Sequence, residues 1–277
     1  CSGTNSGTLT LTGNVGSVTK WESSTDNWVS TNSISNVTTS LTYSNITATT
    51  KYRAVVKSGS CSSDNSTEVT ITVDPASNGG TLSTDATVCS GTNSGTLTLN
   101  GSVGTVTGWE SSTDNWVSTN SISNITTSLT YSNLTATTKY RAVVKSGSCS
   151  SDNSTEVTIT VDPASNGGTL STDATVCSGT NSGTLTLNGS VGTVTGWESS
   201  TDNWVSTNSI SNITTSLTYS NLTATTKYRA VVKSGSCSSD SSNVVTITVD
   251  PVSNGGTLSA DATVCSGTNS GTLTLTG

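Results

Sequence analysis

Seven cysteines carry the most evident chemistry in this chain: Cys1, Cys61, Cys89, Cys149, Cys177, Cys237 and Cys265. Their spacing alternates, with 60 residues from Cys1 to Cys61 and 28 from Cys61 to Cys89, and so on to the end. Such thiols could bind a metal, act as nucleophiles or pair. Zinc sites need CxxC pairs or histidines, and the chain has neither. Without histidine, no imidazole can activate a thiol or one of the many serines, so catalysis has no evident base. Pairing remains, and in an exported protein regular cysteines read as disulfides. A second constellation is an Asp-Asn-Trp trio at Asp26, Asn27 and Trp28, again at Asp114, Asn115 and Trp116, and at Asp202, Asn203 and Trp204. An indole beside a carboxylate and an amide could stack on a sugar ring and hydrogen-bond its hydroxyls; packing of the indole on the protein's own edge is the commoner use. A third is carboxylates near a linker, Asp162 and Asp173, which could hold calcium, although no Asp-x-Asp cluster supports them.

These residues recur because the chain does. CSGTNSGTLTL stands at 1–11, 89–99, 177–187 and 265–275, a period of 88 residues. That is too long for a solenoid unit and suits one small domain per repeat. Repeats 1 and 2 differ only at Thr12/Asn100, Asn14/Ser102, Ser17/Thr105, Lys20/Gly108, Val37/Ile125 and Ile46/Leu134. The chain opens without Met and stops inside a repeat, so it reads as a window on a longer array. It contains no apolar run of membrane-spanning length. A net charge of −7, with Lys and Arg dispersed, argues against a nucleic-acid partner.

In the second repeat, leucines and threonines alternate through GTLTLNG (95–101), a half-buried strand. TVTGWESS (105–112), WVSTNSI (116–122), SLTYSNLT (128–135), KYRAVVK (139–145) and EVTITVDP (156–163) read as further strands, and GTLSTDATV (168–176) as the first strand of the next domain. Tyr140, Ala142 and Val144 share one face, as do Val157, Ile159 and Val161. No stretch has helical periodicity. Short strands broken by turns imply an all-β sandwich. Pro163 and the following Asn-Gly-Gly place a boundary. The expected domains are 1–75, lacking its first strand, then 76–163, 164–251, and 252–277 as the first two strands of a further repeat.

Leu134, six residues before Tyr140, resembles the tyrosine corner of immunoglobulin-like and fibronectin type III sandwiches, where the phenol hydrogen-bonds back to the connecting loop. Trp109 matches their core tryptophan. The run from VCSGTNSGTLTLNG to KYRAVVKSGSCSS is similar to the tandem Ig-like repeats of giant surface adhesins in gliding Bacteroidetes, of the SprB type. The resemblance implies an extracellular, cell-surface protein exported by the type IX system, with outer-membrane anchoring and secretion machinery as partners and roles in attachment and gliding motility. Pairing within a repeat would join Cys1–Cys61, Cys89–Cys149 and Cys177–Cys237. In an Ig-like topology, however, Cys89 and Cys149 lie at opposite ends, on the order of 40–50 Å apart, whereas a disulfide needs Cα atoms within about 7 Å. Bridges between neighbouring domains, Cys1 with Cys149 and Cys89 with Cys237, are favoured.

The leading functional reading is a structural stalk, a filament of small rigid domains whose partners are neighbouring repeats. The alternative is a glycan-binding module using the Asp-Asn-Trp hairpin on surface glycans. Thr-x-Thr rows at 8–12 could suit ice, but are ordinary sheet chemistry. No enzyme activity and no cofactor is expected, apart from calcium at the junctions.

Overall fold

A computed structural model describes residues 1–267 and 269–277; Thr268, in the fourth copy of the turn that follows each repeat's opening cysteine, lies outside them. The described residues are all-β, without helices, and form two compact units, Cys1–Val161 and Asp162–Gly277.

Repeat 2 shows how one sandwich is built. One sheet orders the strands Ser128–Ser132, Ser94–Asn100 and Thr81–Leu82. The other orders Asn120–Ile122, Thr105–Ser112, Thr138–Lys145, Val157–Asp162 and Ala86–Cys89, with Asp152–Asn153 also pairing with Thr138–Lys145. Alternation puts Leu97, Leu99, Leu129 and Tyr131 of the first sheet against Trp109, Tyr140, Ala142, Val144, Val157 and Ile159 of the second. Trp109 is 1% exposed, and its indole N–H donates to the Thr126 carbonyl at 3.0 Å. Tyr131 faces Gly95 directly across the antiparallel pair. A side chain at Gly95 would meet the Tyr131 hydroxyl at 2.3 Å, so glycine there makes room for the ring. The third sandwich, in the second unit, repeats the strand order.

Two expected strands change. The segment 168–176 is not one strand but two, Thr169–Leu170 on one sheet and Ala174–Cys177 on the other, where it runs parallel to Val245–Asp250. The switch is fixed by Asp173, whose carboxylate accepts the Thr246 N–H at 2.8 Å. Only Asn120–Ile122 of 116–122 is strand, because Asn115 and Trp116 adopt φ of 58° and 68°. The expected tyrosine corner also lacks its hydrogen bond: none of the described hydrogen bonds comes from the Tyr140 hydroxyl. Its ring instead stacks on Tyr131, centroids 6.3 Å apart.

Repeat 1 has the sheets Ser6–Thr10 with Ser40–Ser44, and Asn32–Ile34, Ser17–Ser24 and Thr50–Lys57 with Asp64–Asn65 and Val69–Ile71. Val157 and Val245, at one register of repeats 2 and 3, are 0% and 1% exposed. Val157→Ala should cost about 2 kcal/mol of local stability, from lost methyls plus a cavity. Native-state hydrogen exchange of the amides in Thr138–Lys145 measures the loss; unchanged rates would contradict this account.

Candidate functional site

The cysteine that opens the chain meets the next repeat, not its own. Cys1 is disulfide-bonded to Cys149, with Cα atoms 4.7 Å apart. Cys149 sits in the hairpin after Lys145, where its N–H donates to Ser146 O at 2.9 Å. Residues 74–77, at the end of repeat 1, line the same place. The Asp74 carboxylate accepts the Ser148 N–H at 2.8 Å and its hydroxyl at 2.9 Å, and Ser146 N–H donates to the Ser77 hydroxyl oxygen at 2.9 Å. Ser2 N–H ties the first turn to the Asp74 carbonyl at 2.8 Å. The Cys149 sulfur lies 3.2 Å from the Pro75 carbonyl oxygen. A disulfide sulfur has no hydrogen to donate, so this is packing. The Ser148 N–H, followed by its hydroxyl, lowers the pKa of Asp74.

The second unit has the same arrangement around the Asp162–Ser165 segment. Ser236 N–H reaches the Asp162 carboxylate at 2.8 Å, and Ser234 N–H reaches the Ser165 hydroxyl at 2.9 Å. Cys89 and Cys237 are both disulfide-bonded. Cys61, Cys177 and Cys265 are exposed thiols. Asp162 and Asp173, considered above for calcium, spend their carboxylates on the N–H groups of Ser236 and Thr246. Among the described residues, no group of three or more His, Cys, Asp or Glu side chains could hold a metal ion.

The motif reading missed Asn93. Its amide N–H₂ donates to the Cys89 and Leu134 carbonyls, both at 2.7 Å, and its oxygen accepts the Leu134 N–H at 2.9 Å. It therefore clamps the turn after the cysteine to the loop before Tyr140, the loop assigned above to the tyrosine. Asn5 and Asn181 make the same bonds. The available signal was an asparagine four residues after each opening cysteine, since a side-chain amide can satisfy a donor and acceptors of a turn at once. Asn93→Ala should cost about 1–3 kcal/mol locally. Hydrogen exchange at the Leu134 amide should accelerate accordingly; an unchanged rate would contradict the clamp.

The Asp-Asn-Trp loop is tightly organised. Ser112, 1% exposed, accepts the Trp116 N–H at 2.8 Å and donates its hydroxyl to the Asp114 carboxylate at 2.8 Å. Asp114 also accepts the Ser118 hydroxyl, and the Ser118 N–H at 2.9 Å. These bonds hold two consecutive non-glycine residues at positive φ, a costly conformation. The Arg141 guanidinium stacks over the Trp116 ring at 4.1 Å, and the indole N–H donates to Glu156 at 2.6 Å. Arg141 pairs with Glu110 at 2.7 Å and Lys139 with Glu156 at 2.9 Å. Trp28 is held alike by Arg53 and Glu68. In repeat 3, Arg229 still covers Trp204 at 4.3 Å. Val244 replaces the glutamate there, and Lys227 turns to Asn203 at 2.6 Å. One face and the N–H of Trp116 are thus already used within the domain.

Hydrogen bonds from the Ser118 hydroxyl, the Ser118 N–H and then Ser112 lower the Asp114 pKa to about 2, and the equivalent serines do the same for Asp26 and Asp202. The folded pKa lies below the 3.8 of an ordinary aspartate. The carboxylate therefore favours the folded loop above that value, and the contribution is lost as pH falls through about 2. Carboxyl carbon titration by NMR should give midpoints near 2 for these three aspartates. Midpoints near 3.8 would contradict the loop geometry.

A family profile described as "Domain of unknown function (DUF8696)" matches residues 1–75, 78–163 and 166–251. No curated protein matches the chain. Among solved structures, domains A168-A170 of titin are similar at 14% identity and a TM-score of 0.39, covering 90% of this chain and 95% of that one. Extracellular domains 3-5 of Drosophila OTK give 10% identity and a TM-score of 0.37, covering 90% and 93%. The FN1-FN3 domains of chicken CNTN1 give 14% and 0.28, covering 84% and 89%.

Proposed function

The chain belongs to the family described as "Domain of unknown function (DUF8696)", whose profile matches it three times, and we propose that it is a stalk segment of a large secreted bacterial surface adhesin. In this reading the repeats extend a distal tip from the cell surface for attachment or gliding motility. The sequence resemblance to SprB-type adhesins supplies the setting. The observation that carries the mechanical part is the Cys1–Cys149 disulfide, which ties one repeat to the hairpin of the next. Around it, Asp74 and Ser77 fix the same hairpin through hydrogen bonds, so the joint resists rotation as well as separation. The 88-residue spacing extends the pairing, within this proposal, to Cys89 with Cys237. A covalent bond at each joint suits a chain under drag. So does a surface of Ser, Thr, Asn and Gly with few charges, which gives other macromolecules little to hold.

Extracellular placement keeps such bridges oxidised. The indole contacts with Arg141 and Glu156 favour the stalk over the glycan module, because a sugar would have to displace both. The test is mechanical. The disulfide closes a sequence separation of 148 residues, which cannot extend while it is intact. At about 3.3–3.6 Å per residue, reduction should lengthen the fully unfolded, stretched chain by at least about 500 Å. Magnetic tweezers with and without reductant measure this, and an unchanged length would overturn the proposal.

A further inference from the structure

The three copies of the Asp-Asn-Trp loop differ at one place that changes their chemistry. In repeat 1 the Glu68 carboxylate accepts the Trp28 indole N–H at 2.5 Å and the Lys51 ammonium at 2.6 Å. In repeat 2 Glu156 does the same for Trp116 at 2.6 Å and Lys139 at 2.9 Å. The lysine, followed by the indole, holds each carboxyl below the usual carboxylate range, so the place between them suits an ionised carboxylate. In repeat 3 the glutamate is Val244, while the tryptophan, lysine and arginine remain as Trp204, Lys227 and Arg229.

The rest of that loop is unchanged. Trp204 N–H still donates to the Ser200 hydroxyl oxygen at 2.8 Å, Ser206 N–H still donates to Asp202 at 2.9 Å, and the Arg229 guanidinium still lies over the indole. Only the acceptor is lost: among the described residues, none takes the Trp204 indole N–H. Lys227 is left with a neutral partner, the Asn203 side-chain oxygen at 2.6 Å, and Arg229 keeps Glu198 at 2.6 Å. Repeat 3 therefore presents the same two cations with one negative charge fewer than repeat 2.

We propose that Trp204, Lys227 and Val244 form a binding site for a carboxylated sugar of an acidic polysaccharide, whose carboxylate takes the place that Glu156 fills in repeat 2. The inference concerns repeat 3 alone and stands whether or not the chain serves as a stalk. The indole N–H and the ammonium supply two hydrogen bonds to an ionised acceptor. Lys227 exchanges a neutral amide oxygen for a charged one, a stronger bond. Val244, 39% exposed, and the part-exposed indole offer apolar surface to the C–H face of a pyranose ring. In repeats 1 and 2 a sugar would have to displace a glutamate; in repeat 3 it meets none there.

The neighbouring surface favours a sugar chain over an acidic peptide. A cleft of about 250 Å³ opens beside Glu198, the partner of Arg229, with Thr195, Gly196, Ser209 and Ser211 in its lining. In repeat 1 the position of Gly196 is Lys20, which bonds Glu22 at 2.7 Å; glycine leaves that place open. The cleft offers hydroxyls and backbone, one carboxylate and no cation. A peptide with successive carboxylates would meet Lys227 and then Glu198. A polysaccharide that alternates a carboxylated sugar with a neutral one can set its charge at Lys227 and its hydroxyls in the cleft.

Exchanging one residue should move the site. V244E gives repeat 3 the glutamate that repeats 1 and 2 hold, and E156V gives repeat 2 the valine of repeat 3, so each variant places a residue that the fold already carries at that register. The probe is a hyaluronan tetrasaccharide, which alternates glucuronic acid with a neutral sugar, added to the full chain while the indole N–H signals are followed by NMR. Wild type should bind one tetrasaccharide and shift the indole signal that is missing from W204F. V244E should weaken binding at least about tenfold, as should methyl esterification of the sugar's carboxyls, and E156V should bind a second tetrasaccharide. Any of five results would overturn the proposal: no Trp204 shift at millimolar tetrasaccharide, V244E binding like wild type, the methyl ester binding as well as the acid, E156V gaining no site, or a tetraglutamate peptide binding at Trp204 more tightly than the sugar.

Discussion

The structure depends on one short segment that belongs to two repeats. Residues 74–77 seat the hairpin of repeat 2 through Asp74 and Ser77, beside the Cys1–Cys149 bridge. A few residues on, Thr81–Leu82 and Ala86–Cys89 close both sheets of repeat 2. Joint and closing strand are therefore one continuous piece of chain. A sandwich of this type is sealed only by what comes just before its opening cysteine, and that same stretch carries the end of its neighbour.

The burial of Val157, 0% exposed, gives this constraint an energetic scale. Apolar burial of this kind is worth about 25 cal/mol per Å². A domain of this size has only a small margin of stability, so the first strand decides much of it. Near-identity among repeats follows, because every joint presents the same acceptors and the same hairpin to its neighbour.

Much of the sandwich was legible in the sequence. Alternation in Thr138–Lys145 placed Tyr140, Ala142 and Val144 inside, and Trp109 stood out as the core indole. What escaped depended on side chains bonding to backbone. The split of 168–176 rests on Asp173 and one distant N–H, which no periodicity encodes. Positive φ at Asn115 and Trp116 could not be read from residue types, since tryptophan gives no such signal; the Ser112–Asp114–Ser118 cage imposes it. The loop before Tyr140 was assigned to the phenol because family likeness weighs aromatics above amides. Asn93 holds it instead, through three bonds that only proximity in space reveals.

Covalent joining of successive repeats is the claim on which the account turns, and non-reducing peptide mapping of the purified, oxidised chain tests it most directly. The account requires a peptide linking Cys1 to Cys149, two residues brought within 4.7 Å across a sequence separation of 148. A map in which Cys1 is linked to Cys61, closing each repeat on itself, would contradict it.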